Sequence, residues 1–464
     1  MSCSPILKIP NEILDSIAGR LPVADFANLR LVSREMSSRV SSKFGAVFFR
    51  TRQFMLSHHS LETLLNIART PYLASGLRKV IIGLNEATNS TGRTKHRPTA
   101  EFICQQDALL MNGYHIAYLR QAFDSLKQHV SRIEVEVRDY DSPTRYRENT
   151  TWKSYGAPTL ISKGINVGYK TVGPDRFYRH DMRTVGRGPN VSIATKAISG
   201  LLTALGMSDI QCTSFKVNVR SATIPDSAYY VHPWMNIHVI QKLNTFHANI
   251  GRVDSRLHAT DMQLAQFLSH AVKLRHLRLN AKIFGILNRC RLALRKVQLV
   301  SIEFGTYEKG VEKYIAWLEQ FRETLTSVTF HKVTTDFLRL TDYMSSLPWL
   351  STVVFKDCHC LFHQSFSWPL PSGPPPGAGV IQGPTLFPAS PMLDAICVPE
   401  LVITLGTRYP ADDGKEHLTR QFHELQKEIV RLCSEPTAYS QTAASELARE
   451  EDCDRPLPEL TDNQ

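Results

Sequence analysis

The chain has 464 residues, of which 42% are hydrophobic and 21% charged, and this composition is typical of a folded protein rather than a disordered one. The net charge of +11 is spread along the chain and is only a weak indication of an acidic partner such as nucleic acid. No stretch approaches the roughly 18 consecutive apolar residues of a membrane span, and no secretion signal precedes the first helix. We therefore expect a cytoplasmic or nuclear protein without a membrane partner.

The first forty residues predict two short amphipathic helices. Apolar residues recur at helical spacing from Ile9 to Leu21, and Pro22 ends this pattern. Asp25 is expected to cap a second helix, because its carboxylate can accept from the free amides of a first turn. The apolar stripe of that helix is Phe26, Leu29, Val32 and Met36. Two such helices leave apolar surface for a partner, although the same pattern suits the first helical layer of a larger domain.

The segment "ILKIPNEILDSIAGRLPVADFANLRLVSREMSS" resembles an F-box in the order and spacing of its residues. The matching positions are Ile9, Pro10, Glu12, Ile13, Leu14, Ile17, Leu21, Asp25, Phe26, Leu29, Val32, Ser33 and Arg34. Met36 stands where the family most often has tryptophan, and Ser33 replaces the frequent cysteine.

This resemblance implies a three-helix module within residues 1–50 that binds a Skp-type adaptor and through it a cullin-RING ubiquitin ligase. The block from Ser60 to Leu84 is similar to one that follows the F-box in filamentous fungal members, so a fungal-type F-box protein is expected. The residues that the resemblance assigns to the adaptor contact are Ile9, Pro10, Ile13, Leu14, Ile17, Leu21, Phe26, Leu29, Val32 and Met36.

A six-residue phrase, apolar-x-x-apolar-x-apolar, recurs along the chain and predicts half-buried strands. Its starts are Leu77, Val130, Cys212, Leu243, Leu274, Leu294, Leu325 and Leu350, with helical patterns between several of them. The pattern resembles an irregular leucine-rich repeat. The expected fold is thus α/β (α+β overall): a short N-terminal three-helix F-box followed by a leucine-rich-repeat-like β/α solenoid over residues 51–366. A compact α/β domain with several strands is the alternative.

A long insert over residues 139–190 interrupts these phrases. Its Gly, Pro, Ser and Asn content predicts a loop that can contain short hairpins, and its Lys and Arg outnumber its Asp and Glu by nine to five. Such a loop could bind an acidic or phosphorylated segment of a substrate, or single-stranded nucleic acid, or be an ordinary solvated loop. The candidate substrate-binding residues are Arg176, Arg179, Arg183 and Arg187.

The C-terminal part is expected to contain three segments. Residues 367–399 read as a Pro/Gly-rich linker or loop, residues 400–434 as a last strand and helix, and residues 435–464 as a disordered tail. The Cys and His residues of "CHCLFH" lack the spacing of a closed zinc site. The sequence therefore predicts neither a metal site nor a cofactor.

The absence of a phosphate-binding glycine loop, a GxSxG elbow and an HExxH motif argues against an enzyme. The first hypothesis is a non-catalytic substrate-recognition subunit of a Skp-cullin-F-box E3 ubiquitin ligase, which tethers an unknown protein substrate. The alternatives are a ligase-independent interaction scaffold and, with less support, a nucleic-acid-binding protein that uses the basic insert.

Overall fold

The computed structural model describes most of the chain up to residue 361 and little beyond it. The described ranges are 5–87, 97–141, 153–169, 193–219, 224, 226–233, 235–250, 263–281, 284–295, 297–305, 310–331, 333–361, 395–404 and 427. Most of the expected linker at 367–399, nearly all of the helix expected before residue 434 and the whole tail at 435–464 lie outside these ranges. Within them, no helix is both long and apolar enough to cross a membrane. The proposed domain boundaries remain predictions.

Three helices follow a short 3-10 turn at Pro5–Lys8 and form what we call the N-terminal module. They are α1 (Asn11–Ala18), α2 (Val23–Leu31) and α3 (Arg34–Phe48).

The start and end of α2 differ from the predicted positions. The expected cap, Asp25, lies inside the first turn, and the residue at the N-cap position is Pro22, whose carbonyl accepts from Phe26 N at 2.9 Å. The apolar stripe that predicts one helix up to Met36 is divided between α2 and α3. Ser33 causes this division, because its Oγ accepts from Met36 N at 3.0 Å and caps α3.

The rest of the described chain alternates between strands and helices. The strands are β1 (Thr51–Met55), β2 (Lys79–Gly83), β3 (Asn85–Ala87), β4 (Arg132–Arg138), β5 (Val167–Tyr169), β6 (Gln211–Asn218), β7 (Thr245–Ile250), β8 (His276–Ala281), β9 (Ser301–Gly305), β10 (Ser327–His331), β11 (Thr334–Thr335), β12 (Thr352–Leu361) and β13 (Ala395–Thr404). The helices are α4 (His58–Arg69), α5 (Pro71–Ala74), α6 (Arg97–Met111), α7 (Tyr114–Leu126), α8 (Ala157–Ser162), α9 (Ile193–Ser208), α10 (His238–Gln241), α11 (Gln263–His270), α12 (Phe284–Ala293), α13 (Val311–Gln320) and α14 (Phe337–Ser345). A 3-10 turn, Asp226–Tyr229, lies between β6 and α10.

The main sheet is built in chain order. Its strand order is β1-β2-β4-β6-β7-β8-β9-β10-β12, with every neighbouring pair in this series parallel. The short β11 pairs in parallel with β12, and β13 pairs with β12 in the antiparallel direction. Because parallel crossovers are right-handed, a strictly sequential order places successive connecting helices on the same face. The fold is therefore mixed α/β with a mostly parallel sheet, and its description as a leucine-rich-repeat solenoid remains a prediction.

The cross-strand register corrects the phrase predicted to start at Leu294. The strand at this point is β9, whose Ile302 pairs with Leu277 on one side and with Val328 on the other. The equivalent phrase is therefore "LVSIEF", which starts at Leu299. With this correction, the starts from Leu274 to Leu350 are separated by 25, 26 and 25 residues, a more even repeat than the sequence pattern indicates.

One face of the main sheet packs against the helices. Every second residue of the strands belongs to a single core that also contains residues of α4, α7, α9, α11, α13 and α14. Phe330 illustrates this packing: its ring stacks on those of Phe304 and Phe355 with centroids 5.6 and 5.4 Å apart, and Trp317 meets Phe304 edge-on at 5.6 Å. These contacts add specific aromatic geometry to the burial of apolar area.

The N-terminal module packs directly on the first β/α unit through backbone contact. A Cβ atom built on Gly45 of α3 would lie 1.9 Å from the carbonyl oxygen of Tyr72 in α5. A Cβ on Gly76 would lie 2.2 Å from the carbonyl oxygen of Gly45. Only glycine allows two backbones to approach this closely, so these positions join the module to the sheet.

Candidate functional site

The N-terminal module has a small core of its own. Six buried residues form it, and they come from all three helices: Leu14, Ala18, Phe26, Met36, Val40 and Phe48. The ring of Phe26 packs edge-on against Phe44 and Phe48 with centroids 5.7 and 5.3 Å apart. Arg39 ties α3 to the start of α1, because its Nε donates to Asn11 Oδ1 at 2.8 Å.

The module also exposes large apolar side chains, which we call the apolar surface. Ile13 and Ile17 lie one helical turn apart on α1 and are 53% and 43% exposed. Leu31 and Val32, at the junction of α2 and α3, are 82% and 69% exposed. Apolar side chains with this exposure on so small a core are typical of a surface that a partner covers.

The structure divides the ten residues assigned to the adaptor contact into three groups. The exposed ones are Pro10, Ile13, Ile17 and Val32, the half-buried ones are Ile9, Leu21 and Leu29, and the fully buried ones are Leu14, Phe26 and Met36. In this conformation the buried group supports the module from inside and does not reach its surface. Leu31 was missed, because it lies off the apolar stripe that the spacing identifies.

A second candidate surface is the face of the main sheet opposite the helices, which we call the open face. Its residues lie in cross-strand rows fixed by the register. The central row from β4 to β10 is Glu136, Lys216, His247, Arg278, Glu303 and Thr329. The preceding row from β6 to β10 is Ser214, Thr245, His276, Ser301 and Ser327. Between β4 and β10 this face is thus polar, whereas the face toward the helices is apolar.

Glu136 is a buried carboxylate held by several donors. It accepts from Arg138 Nε and Nη2 at 2.9 and 2.7 Å and from Asn218 Nδ2 at 2.6 Å, and it forms an ion pair with Lys79. Burial by itself would raise the pKa of Glu136, but the charges of Lys79 and Arg138 and these hydrogen bonds outweigh it and lower the pKa. Glu136 is therefore ionised and already satisfied by the chain's own residues.

Next along the central row, two cations flank a neutral histidine. His247 is buried, and burial, the charge of Arg278 and, more weakly, that of Lys216 lower its pKa to about 3, against an opposing effect of Glu136. Arg278 Nε contacts Glu303 Oε1 at 2.9 Å. Among the residues that the structure describes, Lys216 forms no ion pair.

The end of the open face nearest the module is covered rather than open. Part of the predicted insert covers this end. Residues 153–169 form α8 and β5, and Tyr155 N donates to Gln53 O of the edge strand β1 at 2.9 Å. Tyr155 also stacks on Phe54 with ring centroids 5.2 Å apart. Within the insert predicted as a loop over residues 139–190, this segment therefore contains a short helix and a strand that pairs with β3.

Polar contacts hold this cover in place. The side chain of Gln53 donates from Nε2 to Ser154 Oγ and to Tyr169 OH, both at 2.9 Å, and Tyr169 OH donates to Asp141 Oδ1 at 2.7 Å. Gln53 is only 2% exposed. A buried network of this kind fixes the segment because each broken hydrogen bond would leave a polar group without water.

The four arginines predicted to bind substrate lie outside the described residues, and their role remains a prediction. They are Arg176, Arg179, Arg183 and Arg187. Sequence reasoning did not identify the residues of the open face. The available signal was the alternation within the strand phrases, in which polar residues stand between the apolar ones.

Comparison with known proteins identifies the N-terminal module. Residues 6–44 match the family model of the F-box domain. This range contains α1, α2 and most of α3, together with all four residues of the apolar surface. No curated protein matches the chain. The chain thus carries an F-box domain, the domain that binds the Skp-type adaptor in Skp-cullin-F-box ubiquitin ligases, and F-box proteins are generally non-catalytic.

Proposed function

We propose that this protein is a substrate-recognition subunit of a Skp-cullin-F-box E3 ubiquitin ligase. The observation that supports this most is the F-box match at residues 6–44 on a folded three-helix module with exposed apolar side chains. In this proposal the apolar surface binds the adaptor, and the open face holds a target protein. The protein makes no covalent bond itself; it raises the concentration of the target near the conjugating enzyme.

Three features support separate binding functions for these two surfaces. The apolar surface suits a stable contact that buries Ile13 and Val32, because burial of each aliphatic side chain is worth about 1.5–3 kcal/mol. The open face is polar and suits recognition through hydrogen bonds and charges. The backbone contact of Gly45 with Tyr72 packs the module against the sheet, so the two surfaces are held on one framework. A cytoplasmic or nuclear location is part of the proposal.

The test is adaptor binding by a variant in which only exposed residues change. Ile13→Glu with Val32→Glu places two charges on the apolar surface, and we expect adaptor binding to fall by at least about 100-fold because each charge would have to be desolvated. Substitution of Leu14 is unsuitable, since Leu14 is 1% exposed and its loss would disrupt the core of the module.

The matched control is Val272→Glu, which changes an exposed apolar residue outside the module; Val272 is 50% exposed. Binding of purified adaptor is measured by calorimetry for the wild type and both variants, with circular dichroism to verify folding. Equal adaptor affinity in all three proteins would refute the assignment of the apolar surface. A wild type that binds no adaptor would contradict the proposed ligase role.

A further inference from the structure

We propose that the open face binds an acidic side chain of the target protein at Lys216, beside His247 and Arg278. This inference rests on the proposed function and deepens it, because it gives the chemistry that the target must present. We call this position the cation site. The register of β6, β7 and β8 forms this site, because it brings Lys216, His247 and Arg278 side by side.

The strand spacing places two cations around the imidazole of His247. Neighbouring strands are about 4.8 Å apart, so Lys216 and Arg278 lie about 10 Å apart on either side of His247. Their long side chains can both reach a group above the imidazole. Lys216 is half-buried, and His247 is only 8% exposed, so the floor of the site is dry while its rim is accessible.

The carboxylates of the central row are already bound by cations other than Lys216. The carboxylate of Glu136 is already bound by Lys79, Arg138 and Asn218. The carboxylate of Glu303 is bound by Arg278 through its Nε, which leaves four further N–H groups on the guanidinium. Within the described part of the chain no carboxylate pairs with Lys216, so this ammonium group is open to an external partner.

A hydroxyl without a hydrogen-bond partner lies on the same strand as Lys216. Ser214 precedes Lys216 by two residues on the same face and strand. It is 6% exposed, and its Oγ has no hydrogen-bond partner among the described residues. Buried polar groups are normally hydrogen-bonded, so this hydroxyl is an unused polar group beside Lys216, although the chain encloses its oxygen and it does not itself face solvent.

The charges that flank the site favour one acidic side chain over a nucleic acid. Glu134 and Glu303 lie on the same face, in or next to the central row. A run of phosphates along the row would meet these carboxylates, whereas a single carboxylate from an extended protein segment would not. The neighbouring row of Ser and Thr hydroxyls can then bind the polar groups of that segment.

The experiment uses the full chain and three pools of short synthetic peptides. The pools share the same randomised uncharged flanks and carry Glu, Gln or phosphoserine at the centre. The proteins are the wild type, Lys216→Gln, and Lys242→Gln as the matched control, because Lys242 is exposed and lies outside the strands. Retention of each pool is measured at fixed ionic strength, with thermal unfolding to verify that all three proteins are folded.

We expect the wild type and Lys242→Gln to retain the Glu pool about tenfold more than the Gln pool, as a charge-assisted hydrogen bond allows. Lys216→Gln should lose this preference and retain the Gln pool as before. Equal retention of the Glu and Gln pools by the wild type would overturn the proposal, and so would equal behaviour of the two lysine variants. Retention of the phosphoserine pool alone would overturn the carboxylate assignment.

Two further measurements separate this proposal from its alternatives. Binding of a fluorescent oligothymidylate that depends on Lys216 and exceeds binding of the Glu pool would assign the site to nucleic acid and overturn the proposal. Adaptor affinity is measured on the same proteins and should not change in Lys216→Gln. A wild type that selects the Glu pool but binds no adaptor would contradict the proposed ligase role and leave the cation site standing.

Discussion

The F-box module buries six residues in its own core and exposes Ile13, Leu31 and Val32. The β/α region instead has a large core that continues from β1 to β12, with a small separate cluster around Met55, and its sheet face opposite the helices is polar and partly covered. A small core with exposed apolar side chains depends on a partner to cover them, whereas a large core supports an exposed polar surface without one. The two surfaces should therefore respond differently to substitution: substitutions in the module should mainly change partner binding, and substitutions in the β/α region should mainly change its own stability.

The largest expected effect is in the core of the β/α region. Phe330→Ala removes a ring that contacts Phe304, Tyr314 and Phe355, and we expect a loss of about 3–5 kcal/mol in the free energy of unfolding. Urea denaturation measures this loss. Phe330→Leu is the control and should retain much of the stability. A loss below about 1 kcal/mol for Phe330→Ala would show that the core is not continuous at this strand.

A smaller effect is expected in the core of the module. Met36 is fully buried, so Met36→Ala should cost about 2–4 kcal/mol, mainly by loosening the three helices. Met36→Leu conserves the volume and should cost less than about 1.5 kcal/mol. Hydrogen exchange of residues 11–48 reports the loosening. If exchange also rises throughout β6–β10, the module and the sheet unfold together and the contrast between them fails.

The open face should show its own dependence on pH. The pKa of His247 is about 3 in the folded protein and about 6.5 in an unfolded chain. Between these values the unfolded state binds the proton and the folded state does not, so stability rises with pH and is lost as pH falls. The slope for one such group approaches about 1.4 kcal/mol per pH unit.

The measurement is the free energy of unfolding from pH 6.5 to pH 5. His247→Gln should remove most of the slope that the wild type shows in this range. His270→Gln is the matched control, because it removes an imidazole that is not fully buried and lies on a helix rather than on the open face. Identical slopes in wild type and His247→Gln would contradict burial of a neutral His247 on the open face.

The smallest effect on stability is expected at the apolar surface. Leu31 is 82% exposed, so Leu31→Ser should change the free energy of unfolding by less than about 0.5 kcal/mol. If the adaptor covers Leu31, its affinity should nevertheless fall about tenfold, as loss of one buried leucine would cause. Calorimetric titration measures this change, and an unchanged affinity would place Leu31 outside the contact.

The sequence predicts the F-box because the order of its residues is specific, but it does not predict where the helices break. Ser33 can either continue a helix or cap a new one, and apolar spacing continues across it. Likewise, "LRKVQL" and "LVSIEF" both match the strand phrase, and only the pairing of Ile302 with Leu277 decides between them.

The site was less predictable than the fold. Helical spacing selects Met36 and Val32 equally as apolar residues. It does not distinguish the buried Met36 from Val32, which is 69% exposed. The cation site depends on pairing between strands β6, β7 and β8, which lie 31 residues apart in the chain by their phrase starts. The Gly- and Pro-containing segment at 153–169 gave no periodic signal for α8 and β5, because tertiary contacts with Gln53 and Phe54 stabilise them.

Hydrogen exchange of the full chain, measured with and without a Skp-type adaptor, separates the two surfaces. The adaptor should protect amides in α1 and at the α2–α3 junction, around Ile13 and Val32, and leave the strands β6–β10 unchanged. Protection at β6–β10, or none in residues 6–44 at saturating adaptor, would contradict the assignment of adaptor binding to the module and of target binding to the open face.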